Sequence, residues 1–332
     1  PRIVRELVGL VHTHKPKLVF LSETRKSDDY VNKLKWRLGL RHCIVQPGIG
    51  KSAGIALFYD EGVEIKEIAI GPRYIDVLIR LSPNSLQWRG MFVYGEPKSH
   101  ERHHMWELLR RIRHNSSEPW LMIGDFNETM WQSEHFSRAK RSEKNMAEFR
   151  RVLAECNLQD LGFKGTVWTY NNKQQGNQNV KARLDRGVAT PEWCKAFGEA
   201  TVEHICSSRS DHAPLLLRFG KRKEWRRVTK TFRYEAMWER ADSLEDTIQN
   251  TWKKGGCASS LGSIATKLKS MVDVLGHWAQ QEFNSVTNSI RSLRAKLQKL
   301  RLQPHSRETE NSMRKTESEL DEWLHREEVM WR

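Results

Sequence analysis

The sequence has few cysteines, no long apolar run and too few acids to balance its basic residues. Its five cysteines are scattered without a Cys-x-x-Cys pair, which argues against a disulfide framework and a thiolate zinc site and favours a reducing compartment. No stretch approaches the roughly 18 uncharged apolar residues that a membrane-spanning helix needs. The N-terminus has neither the apolar core nor the cleavage site of a secretory signal. We therefore expect no membrane partner and no secretion.

Positive charge dominates the composition. The 332 residues include 56 Lys and Arg against 41 Asp and Glu, a net charge of +15. Hydrophobic residues make up 38% and include 13 Trp and 11 Phe, enough to bury a core, so wholesale disorder is excluded. A basic surface attracts polyanions because each neutralised phosphate releases counterions, but a well-solvated surface is the alternative. The first residue is not Met, so we expect a piece of a longer chain.

The pattern of apolar residues changes near residue 220. Before it, short β-branched runs alternate with amphipathic stretches, which is typical of an α/β sandwich. The predicted strands are 18–21, 54–59, 75–81, 90–94, 121–124 and 215–219, and the predicted helices are 105–112 and 146–156. We therefore predict one domain over residues 1–220 and a second region over residues 221–332.

The second region begins with the basic run KRKEWRR, interpreted as a linker, and continues as helix. Apolar residues from Ile264 to Leu300 recur every three or four positions, with one slip between Trp278 and Phe283, which predicts a long helix or a coiled coil. Pro304 interrupts this pattern, and a second helical stretch runs from about Glu308. These helices are expected either to self-associate or to pack on a domain absent from the sequence.

Three short segments place acids beside apolar strands. They are 18–24 (LVFLSET), 121–127 (LMIGDFN) and 210–214 (SDHAP). Carboxylate and amide oxygens are ligands for a hard divalent cation, and an imidazole can bind and release protons. Taken singly, a strand-end acid is more often a solvated cap, and an Asp-His pair is more often structural. Taken together, the three segments indicate one site at clustered strand ends.

In this order the segments resemble the endonuclease/exonuclease/phosphatase superfamily, the metal-dependent phosphodiesterases that include abasic-site endonucleases and deoxyribonuclease I. The matching motifs are LSETR with Glu23, FVYG with Tyr94, GDFN at 124–127 and SDH at 210–212. More narrowly, residues 4–25, 166–170 and 183–186 resemble the endonuclease domain of plant LINE-type, non-LTR retrotransposons. The resemblance covers residues 1 to about 219. It implies a four-layered αββα sandwich, a mixed α/β fold, followed here by the helical region that precedes a reverse transcriptase in such elements.

The resemblance implies five catalytic residues. Asp125 is expected to orient or deprotonate the attacking water, and Asn127 and Tyr94 to donate hydrogen bonds to the phosphate. His212 is expected to touch the phosphate, with Asp185 accepting from its ring and fixing the tautomer.

The resemblance also implies a cofactor and a DNA partner. Glu23 is expected to hold Mg²⁺, or Mn²⁺, with Asp211 supporting the metal region. Thr169 and Arg183 are expected to contact DNA. Because such an element acts on DNA, we expect a nuclear location. The alternative is a cytoplasmic one.

One motif of the family is missing from the sequence. Family members begin with a strand whose Asn, in a phrase close to Trp-Asn-Cys-Arg-Gly-Leu, helps to hold the metal, and this sequence starts after it. We therefore expect the sandwich to lack its first strand and one metal ligand. Two interpretations stay open: a DNA-nicking endonuclease of retrotransposon origin, either active or a truncated and inactive copy, or a relic that binds nucleic acid without cleaving it. A third, a phosphomonoesterase or phosphoinositide phosphatase, is disfavoured by the basic charge.

Overall fold

A computed structural model describes residues 2–48, 54–114, 118–174, 176–205, 207, 210–219, 238–239, 241–254, 260–303 and 306–331. The chain divides into two compact units, Pro1–Arg222 and Lys223–Arg332. The predicted basic linker, KRKEWRR, lies outside the described residues.

The first unit alternates strands and helices. Its strands are β1 (Leu18–Leu21), β2 (His42–Gln46), β3 (Ile55–Tyr59), β4 (Glu64–Gly71), β5 (Tyr74–Arg80), β6 (Trp88–Tyr94), β7 (Trp120–Asp125), β8 (His135–Phe136), β9 (Gln159–Asp160), β10 (Lys164–Gly165), β11 (Tyr170–Asn171), β12 (Lys181–Ala182), β13 (Asp185–Ala189), β14 (Thr201–His204) and β15 (Leu215–Arg218). Its helices are α1 (Arg2–His14), α2 (Asp28–Leu38), α3 (His103–His114), α4 (Glu143–Glu155) and α5 (Pro191–Ala196). The mixed α/β class predicted from the sequence is confirmed.

The largest sheet has the strand order β4-β5-β6-β7-β13-β9 within the described residues. Strands β6 and β7 are parallel, because α3 carries the chain back across the sheet between them, whereas β13 runs antiparallel to β7. Three smaller sheets have the orders β1-β3-β2, β10-β14-β15 and β11-β12-β8.

Successive side chains of each strand point to opposite faces of the sheet, and this divides the hydrophobic core into layers. On β6, Met91 and Val93 join the core that holds α3 and α4, whereas Phe92 joins the core shared with β3, because successive side chains point to opposite faces of a sheet. On β3, Leu57 faces this second core, and Phe58 faces a third core with α1 and α2. The large sheet and the β1-β3-β2 sheet therefore pack against each other, and each has helices on its other face.

The second unit is helical over its described residues. Its helices are α6 (Ser243–Lys254), α7 (Leu261–Leu302) and α8 (Arg307–Trp331). Leu297 on α7 and Leu320 and Leu324 on α8 are buried, and these two helices pack against each other. Met271 and Leu275 pack with Leu244 of α6. None of the described helices has the length and apolar character needed to cross a membrane.

Candidate active site

Register across three strands brings the predicted catalytic residues together. Tyr94, the last residue of β6, pairs with Asp125, the last residue of β7, and Asp125 pairs in turn with Asp185, the first residue of β13. Paired residues on neighbouring strands lie about 5 Å apart, so the three form one row at one end of the large sheet. The motifs FVYG, GDFN and RLDR thus meet, although 91 positions of the sequence separate Tyr94 from Asp185.

The end of β7 and the turn after it have unusual backbone conformations. Gly124 has a φ of +143°, and Asn127 has a φ of +54°, in the left-handed region that few non-glycine residues adopt. The Asn127 amide N–H donates to Asp125 Oδ1 at 2.7 Å, and Asn127 Nδ2 donates to the Gly95 carbonyl at 2.8 Å. These bonds fix both the carboxylate and the carboxamide. Left-handed residues of this kind concentrate at functional sites because the surrounding structure must offset their strain.

His212 enters the site from the loop before β15. Its Nδ1 lies 2.7 Å from Asp185 Oδ2, and its Nε2 lies 4.0 Å from Asp125 Oδ2. The Tyr170 ring packs against the imidazole with 5.1 Å between ring centroids, and the backbones of the two residues form a bridge. An Nδ1–H donated to Asp185 leaves Nε2 directed toward the Asp125 side of the site.

The two acids and the imidazole shift one another's pKa values. Burial and the neighbouring Asp185 charge raise the pKa of Asp125 to about 7, against a smaller opposing effect of His212. Burial alone would lower the pKa of His212, but the charge and hydrogen bond of Asp185, with Asp125 and Asp211 nearby, raise it to about 10. At neutral pH the imidazole therefore carries a proton, and Asp125 lies near its titration midpoint.

Glu23 approaches the site through Tyr94. The Tyr94 hydroxyl donates to Glu23 Oε1 at 2.6 Å, and Arg25 Nη2 donates to Glu23 Oε2 at 2.5 Å. Burial, followed by this bond and the charge of Glu23, raises the pKa of Tyr94, which therefore keeps its proton. Glu23 also has a left-handed backbone, with a φ of +53°. In this structure the Tyr94 hydroxyl is directed at Glu23.

A cluster able to hold a metal ion forms from residues predicted to be catalytic. Ligand atoms of Asp125, Asp185 and His212 all lie within 4.8 Å of one another. Glu23 and Asp211, the predicted metal ligands, are not members of this cluster, and Asp211 is exposed. Carboxylate oxygens suit a hard divalent cation. The carboxylates of this cluster therefore fit Mg²⁺ or Mn²⁺, and Glu23 is a further carboxylate joined to the site through Tyr94.

The two residues predicted to contact DNA are buried. Thr169 is 1% exposed, and its hydroxyl accepts from the backbone N–H groups of Leu184 and Asp185, each at 2.9 Å. Arg183 is 5% exposed and pairs with Glu134 at 3.0 Å and Asp160 at 2.8 Å. Both residues hold the start of β13, and with it Asp185, in place. Their contact with DNA stays a prediction, which this burial disfavours.

Sequence reasoning missed two supports of the GDFN turn. Glu128, which is almost fully buried, accepts from Arg141 Nε at 2.7 Å and also pairs with Arg102. Arg141 Nη2 donates to the carbonyl of Asn127 at 2.6 Å. The two guanidinium groups thereby hold the segment just beyond Asp125. The only sequence signal was an acid directly after GDFN.

Comparison with solved structures returns proteins of low sequence identity. The endonuclease domain of TRAS1, a telomere-specific non-LTR retrotransposon, is 16% identical and aligns over 67% of this chain and 95% of that domain, with a TM-score of 0.49. A 3′-5′ exonuclease from Neisseria meningitidis is 19% identical over 66% of this chain and 96% of its own, also at 0.49. An AP endonuclease from Leishmania major is 15% identical over 65% and 82%, again at 0.49.

Comparison with sequence families gives a direct assignment. No curated protein matches the chain at a significant level. The Endonuclease/Exonuclease/phosphatase family matches residues 4–212, a span that begins in α1 and ends at His212, the last residue of the site described above. This span is more than half of the chain. The chain therefore belongs to the endonuclease/exonuclease/phosphatase family.

Proposed function

We propose that the first unit is a divalent-metal-dependent phosphodiesterase that nicks DNA, of the kind carried by non-LTR retrotransposons. The observation that carries the proposal is the cluster of Asp125, Asp185 and His212, with Glu23 and Tyr94 joined beside it. An acid near its titration midpoint beside a charged imidazole can activate water and bind a phosphate oxygen. The sequence motifs and the family membership favour the same chemistry.

The site contains residues to hold Mg²⁺ or Mn²⁺. Glu23 is the proposed ligand, with Asp211 supporting the metal region through its charge. A bound divalent cation would polarise the scissile phosphate and neutralise charge on the leaving oxygen.

The remaining chemistry belongs to the side chains. Asp125, with a pKa of about 7, can orient water and accept its proton at neutral pH. Protonated His212 can donate Nε2–H to a phosphate oxygen while Asp185 holds Nδ1–H. An amide nitrogen carries two hydrogens, so Asn127 can donate one to Gly95 and the other to substrate. Tyr94 orients Glu23.

DNA is the proposed substrate because the chain is strongly basic. A net charge of +15 favours a polyanionic partner over a small phosphomonoester. The sequence motifs shared with LINE-type elements indicate a reaction that leaves a 3′ hydroxyl, which could prime reverse transcription in the nucleus. In such an element the second unit would connect to a polymerase or self-associate.

The test is a supercoiled-plasmid nicking assay with Mg²⁺ or Mn²⁺. The chain should convert supercoiled to open-circular DNA, and Asp125→Ala and His212→Ala should each reduce the rate at least about a hundredfold, the usual contribution of a general acid or base. Asp60→Ala, at an exposed turn after β3, serves as the control. Equal background nicking by all variants, with DNA still bound, would instead establish the non-catalytic relic. No DNA binding at low salt would refute both interpretations.

A further inference from the structure

A buried carboxylate on α1 contacts the loop that carries His212. Glu6 is 4% exposed, and Ser207, 201 positions away, is 2% exposed. The Ser207 hydroxyl donates to Glu6 Oε2 at 3.0 Å. A buried carboxylate is costly unless it is hydrogen-bonded, so this contact ties the loop to the helix.

The contact continues along the loop to the imidazole residue. The Ser207 Oγ accepts from the backbone N–H of Ser210 at 3.0 Å, and the Ser210 Oγ accepts from the backbone N–H of His212 at 3.1 Å. Because the Ser207 hydroxyl donates its hydrogen to Glu6, its oxygen is oriented to accept from Ser210. We call this chain of Glu6, Ser207, Ser210 and His212 the serine relay.

Backbone contacts also hold this loop on both sides of the imidazole residue. The Asn171 N–H donates to the Asp211 carbonyl at 2.9 Å. The Ala213 N–H donates to the Thr169 carbonyl at 2.7 Å, and the Pro214 carbonyl accepts from Ile205 at 2.9 Å. These bonds fix the start of β15. The serine relay adds a side-chain connection to the backbone N–H groups of Ser210 and His212. Its loss would remove the acceptor of the His212 N–H and loosen the imidazole relative to Asp125, 4.0 Å away across the site.

We propose that Glu6 is a positioning residue for His212, acting through the hydroxyls of Ser207 and Ser210. This inference rests on the proposed function, because it assigns Glu6 a role in that reaction. Nothing in the site motifs marks Glu6, which lies in α1, outside the strand ends. Its effect is expected on the placement of the imidazole and hence on turnover, since Glu6 does not itself touch the cluster.

The first measurement is amide hydrogen exchange in the full chain. Glu6→Ala should accelerate exchange at Ser210 and His212 about tenfold, the equivalent of one net hydrogen bond, while β7 amides stay protected. Glu6→Gln, whose amide oxygen can still accept from Ser207, should restore much of the protection. Ser207→Ala removes the middle hydroxyl and decides the question if Glu6→Ala fails to fold.

The matched control is Thr190→Val. The Thr190 hydroxyl is buried and accepts from the backbone N–H of Trp120 at 3.2 Å, at the end of β7 opposite Asp125. This control should leave exchange at Ser210 and His212 unchanged. Unchanged exchange at these two amides in Glu6→Ala and Ser207→Ala, or an increase no larger than in the control, would overturn the proposal.

The second measurement is plasmid nicking. Glu6→Ala should lower kcat about tenfold with little change in KM, because the imidazole contacts only the reacting phosphate whereas many phosphates contribute to DNA binding. Glu6→Gln should recover kcat. A wild-type kcat in Glu6→Ala would overturn the positioning role. If the wild-type chain does not nick, the proposed function fails, whereas the exchange rates still decide whether Glu6 holds His212.

Discussion

Asp185 raises the pKa values of two neighbouring groups, a carboxylate and an imidazole. Its carboxylate is 2.7 Å from His212 Nδ1, and its charge also raises the pKa of Asp125. Removing that charge should therefore lower both values: the pKa of His212 from about 10 toward 6.5, and the pKa of Asp125 from about 7 toward 3.8. We expect Asp185→Asn to show both changes by NMR titration with EDTA present. Asp60→Asn, at an exposed turn, should show neither.

A His212 titration that is unmoved in Asp185→Asn would mean that the imidazole does not face Asp185 in solution. A fall for His212 without one for Asp125 would place Asp125 farther from Asp185 than the strand register indicates.

The acidic residues at the strand ends could be predicted from the sequence. The burial of the residues that hold these strand ends in place could not. Asp125 follows an apolar run, and a sequence shows such an arrangement directly. The family resemblance predicted that Thr169 and Arg183 contact DNA, and Arg is rarely buried unless it is paired. The partners of Arg183 are Glu134 and Asp160, which are 49 and 23 positions away. Only the fold brings these residues together, so the sequence alone did not show that Arg183 is buried.

At the scale of elements, β7 depends on the absence of a side chain at Gly124. A Cβ there would lie 2.1 Å from the Val93 carbonyl oxygen on β6, and the φ of +143° disfavours any other residue. We expect Gly124→Ala to cost at least about 3 kcal/mol of unfolding free energy, the range of overpacking combined with backbone strain. Urea unfolding measures it. Gly198→Ala, with open space around the added methyl, is the control.

If Gly124→Ala and Gly198→Ala unfold at the same urea concentration, β6 and β7 are not as closely paired as described. That result would also separate Tyr94 from Asp125, since the same register joins them.

Strands β9 and β13 and the 3-10 turn at Gln132–Glu134 are joined by buried ion pairs. Arg186 is fully buried and donates to Glu134 Oε2 at 2.8 Å and Asp160 Oδ2 at 2.7 Å. Burial alone would raise the pKa of Glu134, but Arg186 and Arg183 lower it below the ordinary 4.5. The folded chain thus binds fewer protons than the unfolded chain. The stabilisation is present above about pH 4.5 and is lost as pH falls through the lower folded pKa.

Glu134→Gln isolates this effect, because the variant cannot carry the charge at any pH. We expect it to be about 2 kcal/mol less stable than the wild type near neutral pH, the scale of hydrogen bonds to a charged group. The difference should shrink as the pH falls toward 3. Urea unfolding across this range measures it. A difference that is independent of pH would show that the carboxylate charge contributes nothing.

The six predicted strands match observed strands within two residues, whereas the others, most of them charged or very short, were missed. Strand β5 was expected at 75–81 and spans Tyr74–Arg80. Strand β4 was missed because it lies at the edge of the large sheet, where Glu64, Lys66 and Glu67 are exposed. Strands β8, β11 and β12 have two residues each, too few for any periodicity. Their position follows from pairing partners far along the chain.

At the scale of the whole molecule, we expect the two compact units to unfold separately. The first unit has its own cores and its own site, whereas the second is an assembly of α6, α7 and α8. Helix α7, with 42 residues, extends about 63 Å at 1.5 Å per residue. So long a helix depends on its packing partners within the second unit, since isolated helices are weakly stable in water.

Residues 1–222 should therefore fold without residues 223–332. We expect this fragment to unfold cooperatively, with a urea midpoint close to that of the first unit in the full chain, and to keep any nicking activity. A fragment ending at residue 204 is the matched control: it loses His212 and β15, which pairs along β14 and places Leu217 in the core. This shorter fragment should expose apolar surface and bind a hydrophobic dye. Loss of cooperative unfolding in residues 1–222 would show that the second unit supports the first, and the fold would then be a property of the whole chain.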